Sequence, residues 1–279
     1  MAPARVIAAA LAFVAGLGLP VVAAVAEDAP PPAPTETTPA TETVLAPVPR
    51  IAAPLPTNKL APAGILAPQT YKLSDERTLS RWAYSERRAR IYRDHSLSNG
   101  YRGRLRMRTE DGFPEVYLLL DEYVDSKRRI WVKVRLPGRP NGRTGWVKRS
   151  SLGPYRENRH QIVVNRRTLR ATLFYRGRKV WSSKIGVGKA GTRTPAGRFW
   201  VREKFRVKGA PAYGTHAIGT SAYAPGLSDW PGGGVIGIHG TNQPGILPGR
   251  VSHGCVRVPN KKIAQLYRRV RVGTPIFIR

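Results

Sequence analysis

One cysteine, Cys255, stands in the run Val251-Ser252-His253-Gly254-Cys255-Val256-Arg257, and His239 of Ile238-His239-Gly240-Thr241-Asn242 lies sixteen residues upstream of it. It is the only thiol in 279 residues. A free thiol has a pKa of about 8.5, so near neutral pH it is a poor nucleophile until a base takes its proton. Either histidine is a candidate base. His253 sits at i−2 from the cysteine, and side chains two apart on a strand point outward in parallel instead of toward each other. His239 ends a strand of its own and can face Cys255 across a sheet, so His239 is the expected base and Cys255 the nucleophile. His253 is expected to shape the substrate side. With few acids nearby, the group orienting His239 is expected to be a backbone carbonyl, with that of Gly240 as the candidate. Gly254 lets backbone approach a substrate closely. The amides around Gly254 and Cys255 would then stabilise a tetrahedral oxyanion, an effect worth about 3 kcal/mol per donor.

The elements that must hold these groups are short strands. Trp82-Ala83-Tyr84, Ala89 to Tyr92, Val116 to Leu120, Trp131 to Val134 and Gly145-Trp146-Val147 are aromatic and β-branched pieces between turn residues. Pro140-Asn141-Gly142 predicts a tight type I′ hairpin. His160 to Asn165, Thr168 to Tyr175 and Lys179 to Gly188 continue as a second meander. One helix is predicted, capped by Asn260 and running from Lys261 to Arg269, with Ile263, Leu266 and Tyr267 on one face and Gly273 ending it. Pro275 to Ile278 reads as a last strand. The domain reading is an export segment over 1–26, a Pro/Ala-rich linker over 27–72, a small barrel over 79–152 and a catalytic domain over 158–279.

Charge and composition narrow the chemistry. Net charge is +30, and residues 155–279 carry twenty-four Lys/Arg against three acids, Glu157, Glu203 and Asp229. Two facing carboxylates for glycosidic chemistry, or the several needed for calcium or two-metal sites, are nearly ruled out there. Arg5, the apolar run Val6 to Ala26 and the small-x-small pattern Ala24-Val25-Ala26 predict export to the cell wall or an extracellular or periplasmic space. An uncleaved segment would leave the protein membrane-tethered. A lone thiol in such an oxidising place is a liability unless its reactivity is used. The basic field would favour anionic wall polymers over nucleic acid, for which no recognition element is readable. The sequence shows no obligate protein partner.

The histidine and cysteine runs together resemble the signature of the L,D-transpeptidase catalytic domain of the YkuD type: a histidine, then Ser/Thr-His-Gly-Cys, a hydrophobic residue and Asn or Arg. Thr194-Pro195-Ala196-Gly197-Arg198-Phe199 matches a further stretch common in that family. The resemblance covers roughly Gln161 to Arg279. It implies a β-sandwich-like fold acting on peptidoglycan stem peptides through a Cys255 thioester, with no metal or organic cofactor, to form 3-3 crosslinks. It also implies that His253, Gly254 and Cys255 backbone groups form the oxyanion site, with Gly240 and Ser252 in support. Arg257, where other members carry Asn, is either a substrate-carboxylate ligand or structural. Thr241 and Asn242 are candidate substrate contacts. The run from Trp131 to Val147 resembles bacterial Src-homology-3-type domains, where Trp131 and Trp146 either fill the core or bind ligand. The fold expected is therefore mainly β: a small Src-homology-3-like barrel, then the β-sandwich-like catalytic domain with one short helix near 260–269.

Other readings remain at this stage. Hydrolysis in place of crosslinking would make the protein an L,D-carboxypeptidase. A zinc on His239, His253 and Cys255 has enough ligands by count but no acids behind them. Cell-wall cysteine peptidases of other kinds usually place cysteine before histidine, the reverse of the order here. A non-catalytic wall-binding protein with a buried cysteine fits poorly with so polar and Gly-rich a run.

Overall fold

Period-two alternation over short runs, broken by glycine and proline, builds two β-sheets and a single α-helix among the described residues. The computed structural model describes residues 67–226 and 231–279; the expected export segment and most of the expected linker lie outside them. The first sheet runs in the order Tyr101–Arg104, Arg90–Tyr92, Thr144–Lys148, Ile130–Arg135, Val116–Val124, Ser80–Tyr84, Arg156–Asn158, and Gln69–Lys72 pairs with the far end of Val116–Val124. This half-barrel wraps a core of Tyr117, Leu119, Val132, Val134, Val147 and their neighbours. Its sheet reaches beyond 79–152 at both ends. Gln69–Lys72, placed by composition in the linker, is a strand because Val116–Val124 is long enough to offer it an edge.

The second sheet runs Arg178–Lys184, Arg170–Tyr175, His160–Asn165, Pro275–Ile278, Gly197–Arg206, His216–Tyr223, Val235–His239, Val256–Arg257, Gly186–Gly188, Gly249–Ser252. It curves around an apolar core that includes Ile162, Leu173, Val201, Ile218, Ile238 and Val256, closed by Ile263 and Leu266 of the helix Asn260–Arg269. Two sequence expectations need correction. Asn260 is the first helical residue and Pro259 precedes it, because the Asn260 carboxamide is engaged elsewhere. The helix stops at Arg269, and Gly273 makes the turn that follows, at φ +75° and against Trp82. The predicted tight hairpin is also an eight-residue loop, 136–143, closed by the Leu136 amide on the Arg143 carbonyl. Of Asn141 and Gly142 only Gly142 takes a positive φ, whereas a type I′ turn needs both.

The two sheets meet along a dry seam. Trp82, Val116 and Leu118 of the first pack with Trp200 of the second, whose indole N–H donates to the Val116 carbonyl at 2.8 Å. Beside them lies Arg202, with no exposed side-chain surface. Its Nε donates to Glu115 at 2.8 Å and its Nη1 to Glu110 at 2.8 Å and to the Tyr223 hydroxyl at 3.1 Å. Removing one partner of such a pair strands the other charge and typically costs about 3–5 kcal/mol. Glu203, the next residue, accepts from the Thr109 hydroxyl and faces Gly219, where a Cβ would overlap its carboxylate.

Burial pushes the Glu203 carboxyl up to about 8, with Asp111 adding to the rise and the Thr109 hydrogen bond and Arg202 opposing it. A folded-state value above the ordinary 4.5 contributes stability that is complete below pH 4.5 and lost as pH climbs to about 8. Glu203→Gln stays neutral throughout. Its melting temperature relative to wild type is therefore expected to rise steadily across that window, by several degrees in total. Parallel curves of Tm against pH for the two proteins would contradict this account.

Candidate active site

The centre of the second sheet places the thiol and the imidazole. Val235–His239 and Val256–Arg257 pair in parallel, Ile238 against Val256 and His239 against Arg257, so Cys255 falls alongside Gly237. Gly237 has no side chain, and its backbone N–H donates to Cys255 Sγ at 3.3 Å. An N–H aimed at sulfur suits a thiolate, the better acceptor. His239 lies two residues further along the same strand and hence on the same face. A Cβ built on Gly237 would lie 3.9 Å from Cys255 Sγ and 3.8 Å from His239 Cδ2, so the two groups flank one backbone position.

The imidazole is held on several sides. Its Nδ1 lies 2.7 Å from the Gly240 carbonyl, which can only accept, so Nδ1 carries the proton and Nε2 keeps its lone pair. Tyr213 packs against the ring at 4.6 Å between centroids. The backbone around it is pinned by Val258 N–H on the His239 carbonyl at 2.8 Å and by Asn260 Oδ1, which accepts from Thr241 N–H at 3.1 Å. Gly240 is required here by space, since a Cβ would overlap Asn260 Oδ1.

The turn that presents the cysteine is tied by hydroxyls. Ser252 Oγ donates to the Cys255 carbonyl at 2.6 Å and accepts from Gly254 N–H at 3.1 Å. Thr194 Oγ1 donates to the Gly254 carbonyl at 2.7 Å and accepts from Gly188 N–H at 2.9 Å. Thr192 Oγ1 donates to the Ser252 carbonyl at 3.1 Å. Gly254 has φ +129°, and a Cβ there would press on Ile236 Cδ1 at 2.8 Å, so only glycine serves. Cys255, His239, His253, Arg257 and Ser252 line one pocket together with Ala212, Tyr213, Ala224 and residues 234–236.

A family model described as the L,D-transpeptidase catalytic domain, YkuD, matches residues 159–278. The candidate L,D-transpeptidase YqjB of Bacillus subtilis is 30% identical over 125 residues, covering 42% of this chain and 69% of that protein. The chain belongs to the L,D-transpeptidase family. The candidate L,D-transpeptidase YkuD of Bacillus licheniformis is 34% identical over 117 residues, and the matched part spans 42% of this chain and 62% of that relative, less than two thirds of its length. Among solved structures, the catalytic domain of the Enterococcus faecium L,D-transpeptidase is 26% identical with a TM-score of 0.32, covering 43% of this chain and 95% of that one.

Within this member of the family, the structure brings Cys255, His239, His253, Ser252 and Arg257 together and leaves two sequence candidates aside. Thr241 is buried in the turn after His239, where its hydroxyl accepts from Gln243 N–H at 3.1 Å, and Asn242 is exposed; neither lines the pocket. Gly240 acts through its carbonyl. The Gly254 amide, read from sequence as an oxyanion donor, is taken by Ser252 Oγ. Three residues escaped the sequence reading in their roles: Thr192, Thr194 and Asn260. The signal for Thr194 was the Thr-Pro-x-Gly-x-Phe run, which recorded a motif without saying what it touches. Thr194→Val keeps the shape but leaves a buried N–H and a buried carbonyl short of their partner, at about 1–3 kcal/mol each. It is expected to lower Tm and to slow alkylation of Cys255 by iodoacetamide together. A variant that melts and reacts like wild type would remove Thr194 from the support of the turn.

Proposed function

We propose that the protein is an exported peptidoglycan L,D-transpeptidase that forms 3-3 crosslinks through a thioester on Cys255. The observation that carries this reading is the pairing of a thiol with an imidazole whose tautomer is set, the two flanking Gly237 on one face of the sheet. In the proposed cycle His239 Nε2 takes the thiol proton as Sγ attacks the carbonyl carbon of the third stem residue. The tetrahedral intermediate collapses by breaking its C–N bond, and the proton on His239 passes to the departing amine of the terminal D-alanine. An amine from a neighbouring stem then attacks the thioester, gives its proton to His239 and leaves with the acyl group, and the proton returns to sulfur. With the Gly254 amide engaged, the oxyanion is assigned to the Cys255 backbone amide with His253 at the pocket edge. Arg257, 7% exposed and lining the pocket, is assigned to a substrate carboxylate. Water in place of the second amine would give carboxypeptidase trimming from the same acyl-enzyme. The half-barrel is read as a Src-homology-3-like accessory, and the basic catalytic half as the part that meets anionic wall polymers.

Incubation with purified disaccharide-tetrapeptide and mass spectrometry of the products tests the reading. Wild type is expected to yield 3-3 linked dimers, Cys255→Ala none, and His239→Ala at least about 100-fold fewer per unit time. Equal dimer yield from either variant sinks the assignment, and tripeptide without dimer selects trimming. A carbapenem is expected to add once per chain by intact mass, and the adduct to vanish in Cys255→Ala.

A further inference from the structure

Loop 136–143 of the half-barrel bonds to the backbone of Tyr223, Ala224 and Gly233, at and beside the lining of the Cys255 pocket. We infer that Asn141 and Arg139, at the tip of loop 136–143, are positioning residues that hold the part of the Cys255 pocket lined by Ala224 and residues 234–236, and so make the half-barrel part of the acyl-donor site. The inference rests on the reading of that pocket as the acyl-donor site given above.

Asn141 treats Tyr223 as a strand neighbour would. Its Oδ1 accepts from the Tyr223 N–H at 3.0 Å and its Nδ2 donates to the Tyr223 carbonyl at 2.8 Å. An amide offers an acceptor and a donor on separate atoms at once, whereas a carboxylate of the same reach can only accept. Arg139 spans the next step. Its Nε donates to the Ala224 carbonyl at 2.9 Å and its Nη2 to the Gly233 carbonyl at 3.0 Å, while the guanidinium sits 5.2 Å from the centre of the Tyr223 ring. Arg139 thus ties Ala224 to Gly233, and the Ala224 amide donates to the neighbouring Gly234 carbonyl at 2.8 Å. A planar guanidinium can bridge two carbonyls at fixed spacing; an ammonium on a flexible stem cannot.

The clamped residues lie at the lining of the pocket. Ala224 and residues 234–236 line it together with His239 and Cys255. The same lining crowds the cysteine turn, since a Cβ built on Gly254 would lie 2.8 Å from Ile236 Cδ1 and 4.0 Å from Ala224 Cβ. On the seam side the same tyrosine is anchored through its hydroxyl, which meets Arg202 at 3.1 Å, Arg106 at 3.2 Å and Glu110. Tyr223 is thus held at its ring by the buried ion cluster and at its backbone by Asn141. None of these residues reaches the reacting atoms, so their effect is on how a peptide donor is seated.

The full chain with Asn141→Ala, Asn141→Asp and Arg139→Lys provides the test, each compared with wild type by melting temperature and by two kinds of measurement. The first is steady-state kinetics with the tetrapeptide donor, where kcat/KM is expected to fall about tenfold or more, mostly through KM. The second needs no turnover: the rate of Cys255 labelling by a bulky fluorescein maleimide divided by its rate with iodoacetamide. That ratio is expected to rise at least threefold in the variants, because a loosened wall admits the larger reagent while the thiol itself is unchanged. General destabilisation would instead speed both labels alike and lower Tm in proportion. Wild-type labelling ratios and donor kinetics retained in all three variants would overturn the inference. A wild type that labels normally and transfers no acyl group would sink the transpeptidase reading alone, with the labelling ratio still deciding the clamp.

Discussion

A parallel ladder of only two registered pairs, Ile238 on Val256 and His239 on Arg257, sets where sulfur and imidazole stand. Everything else at the site serves to keep that ladder short and in register. A slip of one residue would carry Cys255 to the opposite face of the sheet. Four side chains oppose such a slip: Asn260 at the end of the histidine strand, and Ser252, Thr192 and Thr194 around the cysteine turn. All four act on backbone, and none is charged. The site is held by neutral hydrogen bonds in a chain dominated by cations.

The seam between the sheets solves a different problem. A fully buried guanidinium needs carboxylates at good geometry or it costs more than packing can return. Glu110 and Glu115 come from the half-barrel and Arg202 from the catalytic sheet, so Arg202 finds its carboxylates across the seam, although Glu110 also pairs with Arg106 of its own part. Trp200 repeats the logic with a single indole N–H on a half-barrel carbonyl. This dependence across the seam explains why the boundary near residues 152–158 carries strand pairing, with Arg156–Asn158 laid on Ser80–Tyr84, where a loose connection between two independent units would carry none.

Much of this was legible in the sequence, and unevenly so. The strand pattern, the helix near 260–269 and the grouping of His239 with Cys255 followed from period-two runs and from spacing, because burial on one face leaves a local signature. Side chains that bind distant backbone leave none. Asn260 looks like a helix cap by position, yet its carboxamide is spent on Thr241, nineteen residues back. Asn141 beside Gly142 looks like a tight turn, yet its carboxamide is spent on Tyr223, across the seam. In both cases the residue type was read for its local conformational preference, and tertiary hydrogen bonding had the larger claim. Gln69–Lys72 was missed for a related reason: its pairing depends on the length of a strand some fifty residues away.

The scarcity of acids connects these features. Of the three carboxylates after residue 155, Glu203 is enclosed in the seam and Glu157 pairs with Arg81 and Arg159 on the first sheet's edge. Among the described residues, none that lines the pocket is an acid. His239 is consequently oriented by a carbonyl, which fixes the tautomer without adding a negative charge beside the thiol. The same shortage of acids thus leaves the chain's one thiol beside an imidazole that a neutral backbone carbonyl orients.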